Sequence, residues 1–352
     1  MKYKLLAVSK FPNISGVNIG DYVQALASAQ FLPHVDGFID RDEELKDYDG
    51  EPCKVIMNGW YMHLPQNWPP SSLIDPLFVA FHLNSGVQKE LLSPESIAYL
   101  KKHQPIGCRD QNTLDLLSKN GIEAYFSGCM TLTLGEKYHS EEKDGKTYIV
   151  DPIYNGHLGI KQIFKAIGIM FRHPFNLLRL FGKKQLHLHN GRNFVKEAIK
   201  TALFYKEYSR VFGRELVMTS IYVNQESMYY KTHFRTDAER LAEAERLVKM
   251  YAKASLVITS RIHCALPCLG LETPVIYLEK GNDIEESKCR LGGLRELFNV
   301  VKIDNGILTP CFNITLPITV SNHPSNKDAW RKLANNLKCR CREFVAHETK
   351  QK

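Results

Sequence analysis

"AKASLVITSRIHCALPCLGLETPVIYLE", residues 252–279, decides the fold, because it holds a strand, a helix and a second strand in one short run. "SLVIT" (255–259) and "PVIYLE" (274–279) are short, β-branched and continuously apolar, the pattern of strands buried on both faces. Between them "IHCALPCLGL" (262–271) reads as a compact helix, with Pro267 early in it and Gly270 and Pro274 closing it. Strand, helix, strand at this spacing is a crossover unit of a parallel sheet. Arg261 and His263 then stand at the carboxyl end of a strand and the start of a helix. Ligands bind at strand carboxyl ends in such sheets, and the first helical turn offers unpaired N–H groups to an anion. A single histidine is most often a core residue, but the paired arginine and the helix start favour contact with an anion here. Cys264, Ala265 and Cys268 form a small-residue run that suggests close packing rather than a metal site.

The same alternation extends outward on both sides. "YKLLAV" (3–8), "KVIMNG" (54–59), "LFVAFH" (77–82), "PIGCR" (105–109) and "IEAYFSG" (122–128) read as strands. "IGDYVQALASAQFL" (19–32), "SPESIAYLKKH" (93–103) and "DQNTLDLLSKNG" (110–121) read as the helices between them, the last with Asp110 at its cap. A polar stretch at 136–146 without periodicity reads as a linker. Beyond it "TYIVD" (147–151) and "ELVMTS" (215–220) read as strands, and "TDAERLAEAERLVKMYAKA" (236–254) as a helix capped by Thr236 or Asp237. A last helix runs from about Ser325 to Val345, with Trp330, Leu333, Leu337, Cys341 and Phe344 on one face. The expected fold class is α/β, with two doubly wound Rossmann-like domains facing a cleft. They cover 1–135 and 147–352, and 152–214 is a basic helical insertion in the second.

Hydrophobic content of 44% and charged content of 24% over 352 residues suit a globular protein with real cores. No run of eighteen apolar residues occurs, so no membrane span is expected. The apolar run "LLAV" near the start is too short for a signal peptide and reads as a first strand. Nine cysteines, an odd number without C-x-x-C pairs, read as reduced thiols of a cytoplasmic protein, and no metal site is expected.

Net charge is +8, yet residues 157–214 hold twelve Lys or Arg against Glu197 and Glu207. The basicity therefore belongs to that segment and not to the protein as a whole. Within it, "IKQIFKAIGIMFRHPFNLLRLFGKK" (160–184) mixes cations with Phe, Ile and Leu. A solvated helical hairpin is the plain reading, and peripheral contact with a membrane surface is the sharper one. Nucleic acid is not expected, since no recognised binding motif accompanies the charge.

Two further strand-to-helix junctions carry polar groups. In "NIGDYVQAL" (18–26), Gly20 permits close backbone approach, while Asp21 either caps the helix or projects a carboxylate into the cleft. In "GCRDQNTLDLL" (107–117), Arg109 ends a strand on the ligand side of the sheet, and its alternative is a structural pair with Asp110.

"NIGDYVQA", "VIMNGW" (55–60), "IGCRD" (106–110), "SGCMTLTL" (127–134) and, above all, "SRIHCALPCL" resemble, in this order, the polysaccharide pyruvyl transferase family. The resemblance spans both halves of the chain and is weakest over 152–214. It implies a glycosyltransferase-B-like fold with an acceptor-side N-terminal domain and a donor-side C-terminal domain. The implied reaction moves the enolpyruvyl group of phosphoenolpyruvate onto a sugar, which a lipid-linked oligosaccharide would carry in capsule or exopolysaccharide assembly, to form a pyruvate ketal. By the same resemblance Arg261 and the helix start at Ile262 bind the donor anion, and His263 binds it and serves as acid. Asp21 is the candidate base, Arg109 and Arg290 are further cleft cations, and either Arg214 or Arg235 supplies another arginine. Bound phosphate would raise the histidine pKa and the helix start would lower it, which couples protonation to substrate. Two rivals share the fold. One is a glycosyltransferase with a nucleotide-sugar donor, using Glu272 or Glu279 for the ribose, and the other is a non-catalytic binding protein. The work would be done in the cytoplasm, peripherally at the inner face of the membrane if the basic segment attaches there.

Overall fold

The computed structural model describes residues 1–8, 16–183, 186, 188, 193–281 and 291–346. The first sheet contains β1 (Lys2–Ala7), β2 (Gly37–Asp40), β3 (Cys53–Tyr61), β4 (Ile74–Leu83), β5 (Ile106–Cys108) and β6 (Ala124–Phe126). Its order is β2-β1-β3-β4-β5-β6, and every pairing is parallel. The second contains β7 (Thr147–Val150), β8 (Ile221–Val223), β9 (Leu256–Thr259), β10 (Val275–Lys280), β11 (Asn299–Asp304) and β12 (Ile307–Pro310). Its order, β8-β7-β9-β10-β11-β12, repeats that of the first, with only β12 antiparallel. These are two Rossmann-like domains. In each sheet the order reverses beside the first strand, between β1 and β3 and between β7 and β9, where α/β folds open a crevice for ligands.

Helices α1 (Ile19–Ala29), α2 (Pro94–Lys102) and α3 (Gln111–Lys119) serve the first sheet. In α3 the cap is Asp110, whose side chain accepts from the Thr113 N–H. Between β7 and β8 the described residues form α4 (Ile160–Arg172), α5 (Pro174–Phe181), α6 (Phe194–Phe212) and α7 (Arg214–Thr219). Then come α8 (Asp237–Lys253), α9 (Ile262–Gly270) and α10 (Trp330–Ala346). Thr236 and Glu239 form a reciprocal capping box at the start of α8.

One expected strand fails locally, and so does one of the two readings of Asp21. Of residues 215–220, Glu215–Thr219 are helical, in α7, and Ser220 is its cap, so no strand forms there. Leu216, Val217 and Met218 are all buried there, and a short continuous apolar run fits a buried helical turn as well as a strand. Gly213, at φ 71°, ends α6 and lets the chain restart, and the strand follows at Ile221. The cap of α1 is Asn18, which accepts from the Gly20 N–H at 3.0 Å, so Asp21 stands inside the first turn. The polar stretch after Gly135 opens with one helical turn, Gly135–Tyr138, whose Tyr138 is buried.

One apolar core joins the domains. It takes Leu5, Ile56 and Val79 from the first sheet and Val150, Val257 and Val300 from the second, with Val23, Leu247 and Leu266 of α1, α8 and α9 between them. A polar link crosses the same joint: Tyr22 Oη donates to Asp237 Oδ1 at 2.7 Å and accepts from Arg240 Nη1 at 3.2 Å. Helix α10 carries the chain back against the first domain, where Lys54 Nζ donates to the Phe344 carbonyl at 2.7 Å. The eight described cysteines are free thiols.

Candidate functional site

The strand β7 ends at Val150, and the next residue, Asp151, has φ 43°, a left-handed backbone rare for a residue with a side chain. That turn aims its carboxylate at the end of β9. There Arg261 Nε donates to Asp151 Oδ2 at 2.8 Å, and Arg261 Nη1 donates to Glu226 Oε2 at 2.7 Å. The Gln225 N–H also donates to Asp151 Oδ2, at 3.0 Å. Burial raises the Asp151 pKa, and the Arg261 charge pulls the other way. Burial works against the Arg261 charge as well, but Asp151 and then Glu226 outweigh it, so its pKa is raised. Arg261 is thus held in a fixed orientation, with Nη2 left as its remaining nitrogen.

His263 follows at a kink. Its φ of −83° and ψ of 17° lie in the sparsely populated bridge region, and the regular part of α9 begins after it. Pro267 has no N–H to give the carbonyl four residues back, so the His263 oxygen is available to Gln225, whose Nε2 donates to it at 3.0 Å. The imidazole is 6% exposed and faces α1. A methyl group built on Gly20 would stand 3.0 Å from His263 Cβ and 2.9 Å from Asn18 Oδ1. A two-residue antiparallel ribbon, Val17–Asn18 with Glu226–Ser227, holds this approach of the two domains. Gly20→Ala should therefore displace the imidazole by a few tenths of an ångström and lower turnover roughly tenfold. Because Ala favours the helix, the melting temperature should change little. Steady-state kinetics beside a thermal melt checks both halves.

A cavity of ≈ 240 Å³ opens over this junction. Arg261, Ile262 and His263 line it from the second domain, with Lys280 from the end of β10, while Arg109 enters from the end of β5 in the first. Among the described residues that line it there is no carboxylate. Arg109 is 2% exposed, and its N–H donates to the Phe81 carbonyl at 2.8 Å. Its neighbour Asp110 is bonded to His82 Nδ1 and to Thr113. Four residues expected at the site, Arg109, Arg261, Ile262 and His263, thus line one cavity, and Gly20 abuts it.

The other expected residues lie elsewhere. Arg290 falls outside the described residues. Arg214 lines a separate pocket beside α4, and Arg235 stands just before the capping box of α8, where its N–H donates to Glu239 Oε2 at 2.7 Å. Asp21 accepts from Gln24 Nε2 at 3.2 Å, and its charge acts on Arg41 and His63 at the carboxyl ends of β2 and β3. That group sits at the switch point of the first sheet. Arg41, 3% exposed, donates to Asp42 Oδ2 at 3.1 Å and lies over the Trp60 ring at 5.5 Å. Burial lowers the His63 pKa, and Asp42 opposes that shift.

The sequence reading passed over Arg41, Lys280, Asp151 and Glu226. "IDRDE" (39–43) carries the same strand–Arg–Asp pattern as "GCRDQ" (107–111), which was the available signal for Arg41. Among the described residues no three His, Cys, Asp or Glu converge as a metal-binding group.

The model of the family described as "Polysaccharide pyruvyl transferase" matches residues 18–280. Those limits run from the Asn18 cap to Lys280, both of which line the cavity. No curated relative matches the chain. Because the match covers most of the chain, the chain belongs to the polysaccharide pyruvyl transferase family.

Proposed function

We propose that the protein transfers the enolpyruvyl group of phosphoenolpyruvate to a sugar of a polysaccharide precursor and closes a cyclic pyruvate ketal. The cavity carries this reading: among the described residues Arg109, Arg261 and Lys280 line it with no carboxylate beside them, which suits a small ligand bearing a carboxylate and a phosphate.

In the proposed reaction the methylene carbon of the donor takes a proton and becomes the methyl group. Its C2 then accepts one sugar hydroxyl, phosphate departs, and a second hydroxyl of the same sugar closes the ketal. Each hydroxyl loses its proton, so the products are the ketal and inorganic phosphate. Arg109, Lys280, Arg261 Nη2 and the Ile262 N–H hold the donor anions and stabilise the departing phosphate. His263 supplies the proton to carbon. Asp21 serves the acceptor hydroxyl, in a first-domain crevice where Arg41, His63 and Trp60 offer a sugar both hydrogen bonds and an aromatic face. Domain 1–135 is then the acceptor side and 147–352 the donor side. The acceptor would be carried on a lipid-linked oligosaccharide at the inner face of the membrane.

The nucleotide-sugar rival fits less well. Each of the two acids offered for the ribose is engaged by an arginine: Glu279 accepts from Arg295 Nε at 2.6 Å and Nη2 at 3.0 Å, and Glu272 accepts from Arg331 Nη1 at 2.5 Å. Phosphoenolpyruvate should raise the melting temperature, and UDP- and GDP-sugars should leave it unchanged, because only a ligand of the native state stabilises it. A rise with a nucleotide sugar alone would transfer the site to the rival.

A further inference from the structure

Nine of the seventeen large apolar side chains exposed among the described residues fall between Ile160 and Val195. They are ordered, not scattered. On α4, Ile160, Phe164, Ile167 and Phe171 recur at spacings of four, three and four, which places them in one stripe along the helix. Phe171 is 83% exposed, whereas Ala166 and Ile169 of the same helix are buried. Lys161, Lys165 and Arg172 project from the flank beyond the stripe, about a quarter turn or more away. The pattern continues on α5, where Phe175 is 84% exposed and Leu177 and Leu180 are buried. From there the Phe181 ring meets the Phe194 ring at the start of α6, with centroids 4.8 Å apart. No helix among the described residues is long and apolar enough to cross a membrane.

Beside the end of the stripe lies a second cavity, ≈ 260 Å³, between α4 and α6. Arg172, His173, Lys206, Ser209 and Arg214 line it, and no carboxylate does among the described residues. The Ser209 hydroxyl is buried and has no hydrogen-bond partner among the described residues. Tyr205, also in its wall, accepts from Asn176 Nδ2 at 2.9 Å. The nearest acid along α6, Glu207, is occupied by Arg210 at 2.6 Å. Cations and a free hydroxyl around a small hollow are the donor set that a phosphate group takes.

We propose that the α4–α5 face docks on an anionic phospholipid bilayer, with the Phe171–Phe175 edge in the headgroup region and one lipid phosphate in the Arg172–Lys206 cavity. An anionic bilayer is the occupant that fits both observations: the apolar stripe matches its acyl boundary, and the basic excess of 157–214 matches its charge. A second protein copy would bring the same basic surface against itself. This places the lipid-side acceptor of the proposed function, but rests on the insertion alone.

Co-sedimentation of the full chain with vesicles tests it. Binding to phosphatidylcholine vesicles containing phosphatidylglycerol should be strong at low salt and fall as salt rises, and pure phosphatidylcholine should bind weakly. Phe171→Ser with Phe175→Ser should lower the partition coefficient more than tenfold. Arg172→Gln with Lys206→Gln should lower it on the order of thirtyfold, and by more than Lys161→Gln with Lys165→Gln, which removes equal charge outside the cavity. Equal losses from the two charge pairs would overturn the phosphate cavity. Absence of vesicle binding, or a dimer in sedimentation velocity that the Phe variants dissociate, would overturn the docking face. Pyruvyl transfer to a soluble sugar, measured on the same variants, should be unchanged, and its absence in the parent protein would count against the donor site instead.

Discussion

A folded His263→Ala protein is expected to turn over its donor about a hundredfold more slowly, or worse. His263 is built into the junction in a way that packing alone does not ask for. Its backbone stands in the bridge region, its carbonyl is released by Pro267 and taken by Gln225, and its side chain rests on the one residue of α1 that has no side chain of its own. Such constraints fix an imidazole in place, which is what proton delivery to a carbon requires. The side chain makes up a small part of a large joint, so the melting temperature should fall little. Normal turnover in a folded variant would make His263 a core histidine and remove the acid from the proposed mechanism.

The second large effect is on stability. Gly135→Ala is expected to cost about 3 kcal/mol or more. A methyl group on Gly135 would lie 1.8 Å from the Gly270 carbonyl oxygen, and one on Gly270 would lie 2.5 Å from the Leu132 oxygen. Backbone meets backbone here, and neither side has a flexible end that can swing away. The contact also matters for function, since it seats the far end of α9, whose near end carries His263. Gly168→Ala is the matched control. It lies inside α4, nothing stands within 4 Å of the added methyl, and the exchange should raise stability by roughly 0.5–1 kcal/mol. Chemical unfolding of the two variants checks the contrast. Equal, small shifts would mean that the joint has room it is not described as having.

Much of the architecture was legible because it is written locally. The apolar runs around 252–279, the Asp110 cap and the Thr236 cap, one of the two offered for its helix, each depend on residues within a few positions of one another. The placing of Arg261 and His263 at a strand end follows from the same stretch. What was not legible is set by sheet order. Asp151 and Glu226 lie 110 and 35 positions from Arg261, and only the neighbouring of β7 and β9 brings Asp151 to it. Lys280 could be read as the end of a strand but not as a wall of the same cavity as Arg109. Strand β2 was missed because "GFID" is four residues long and shows no clear alternation, and Arg41 was lost with it. The misreading of 215–220 has the opposite cause. Its local pattern fits two structures, and packing of α7 against α6 selects the helix.

The central claim is that the cavity between Arg109 and the Arg261–His263 junction hands an enolpyruvyl group to a sugar. Mass spectrometry of a panel of free and lipid-linked sugar acceptors, incubated with the protein and phosphoenolpyruvate, tests it most directly. The predicted result is an acceptor heavier by one pyruvyl ketal, with one inorganic phosphate released for each, and both signals lost in His263→Ala. An acceptor extended by a sugar when a nucleotide sugar is supplied, and unchanged with phosphoenolpyruvate, would contradict it.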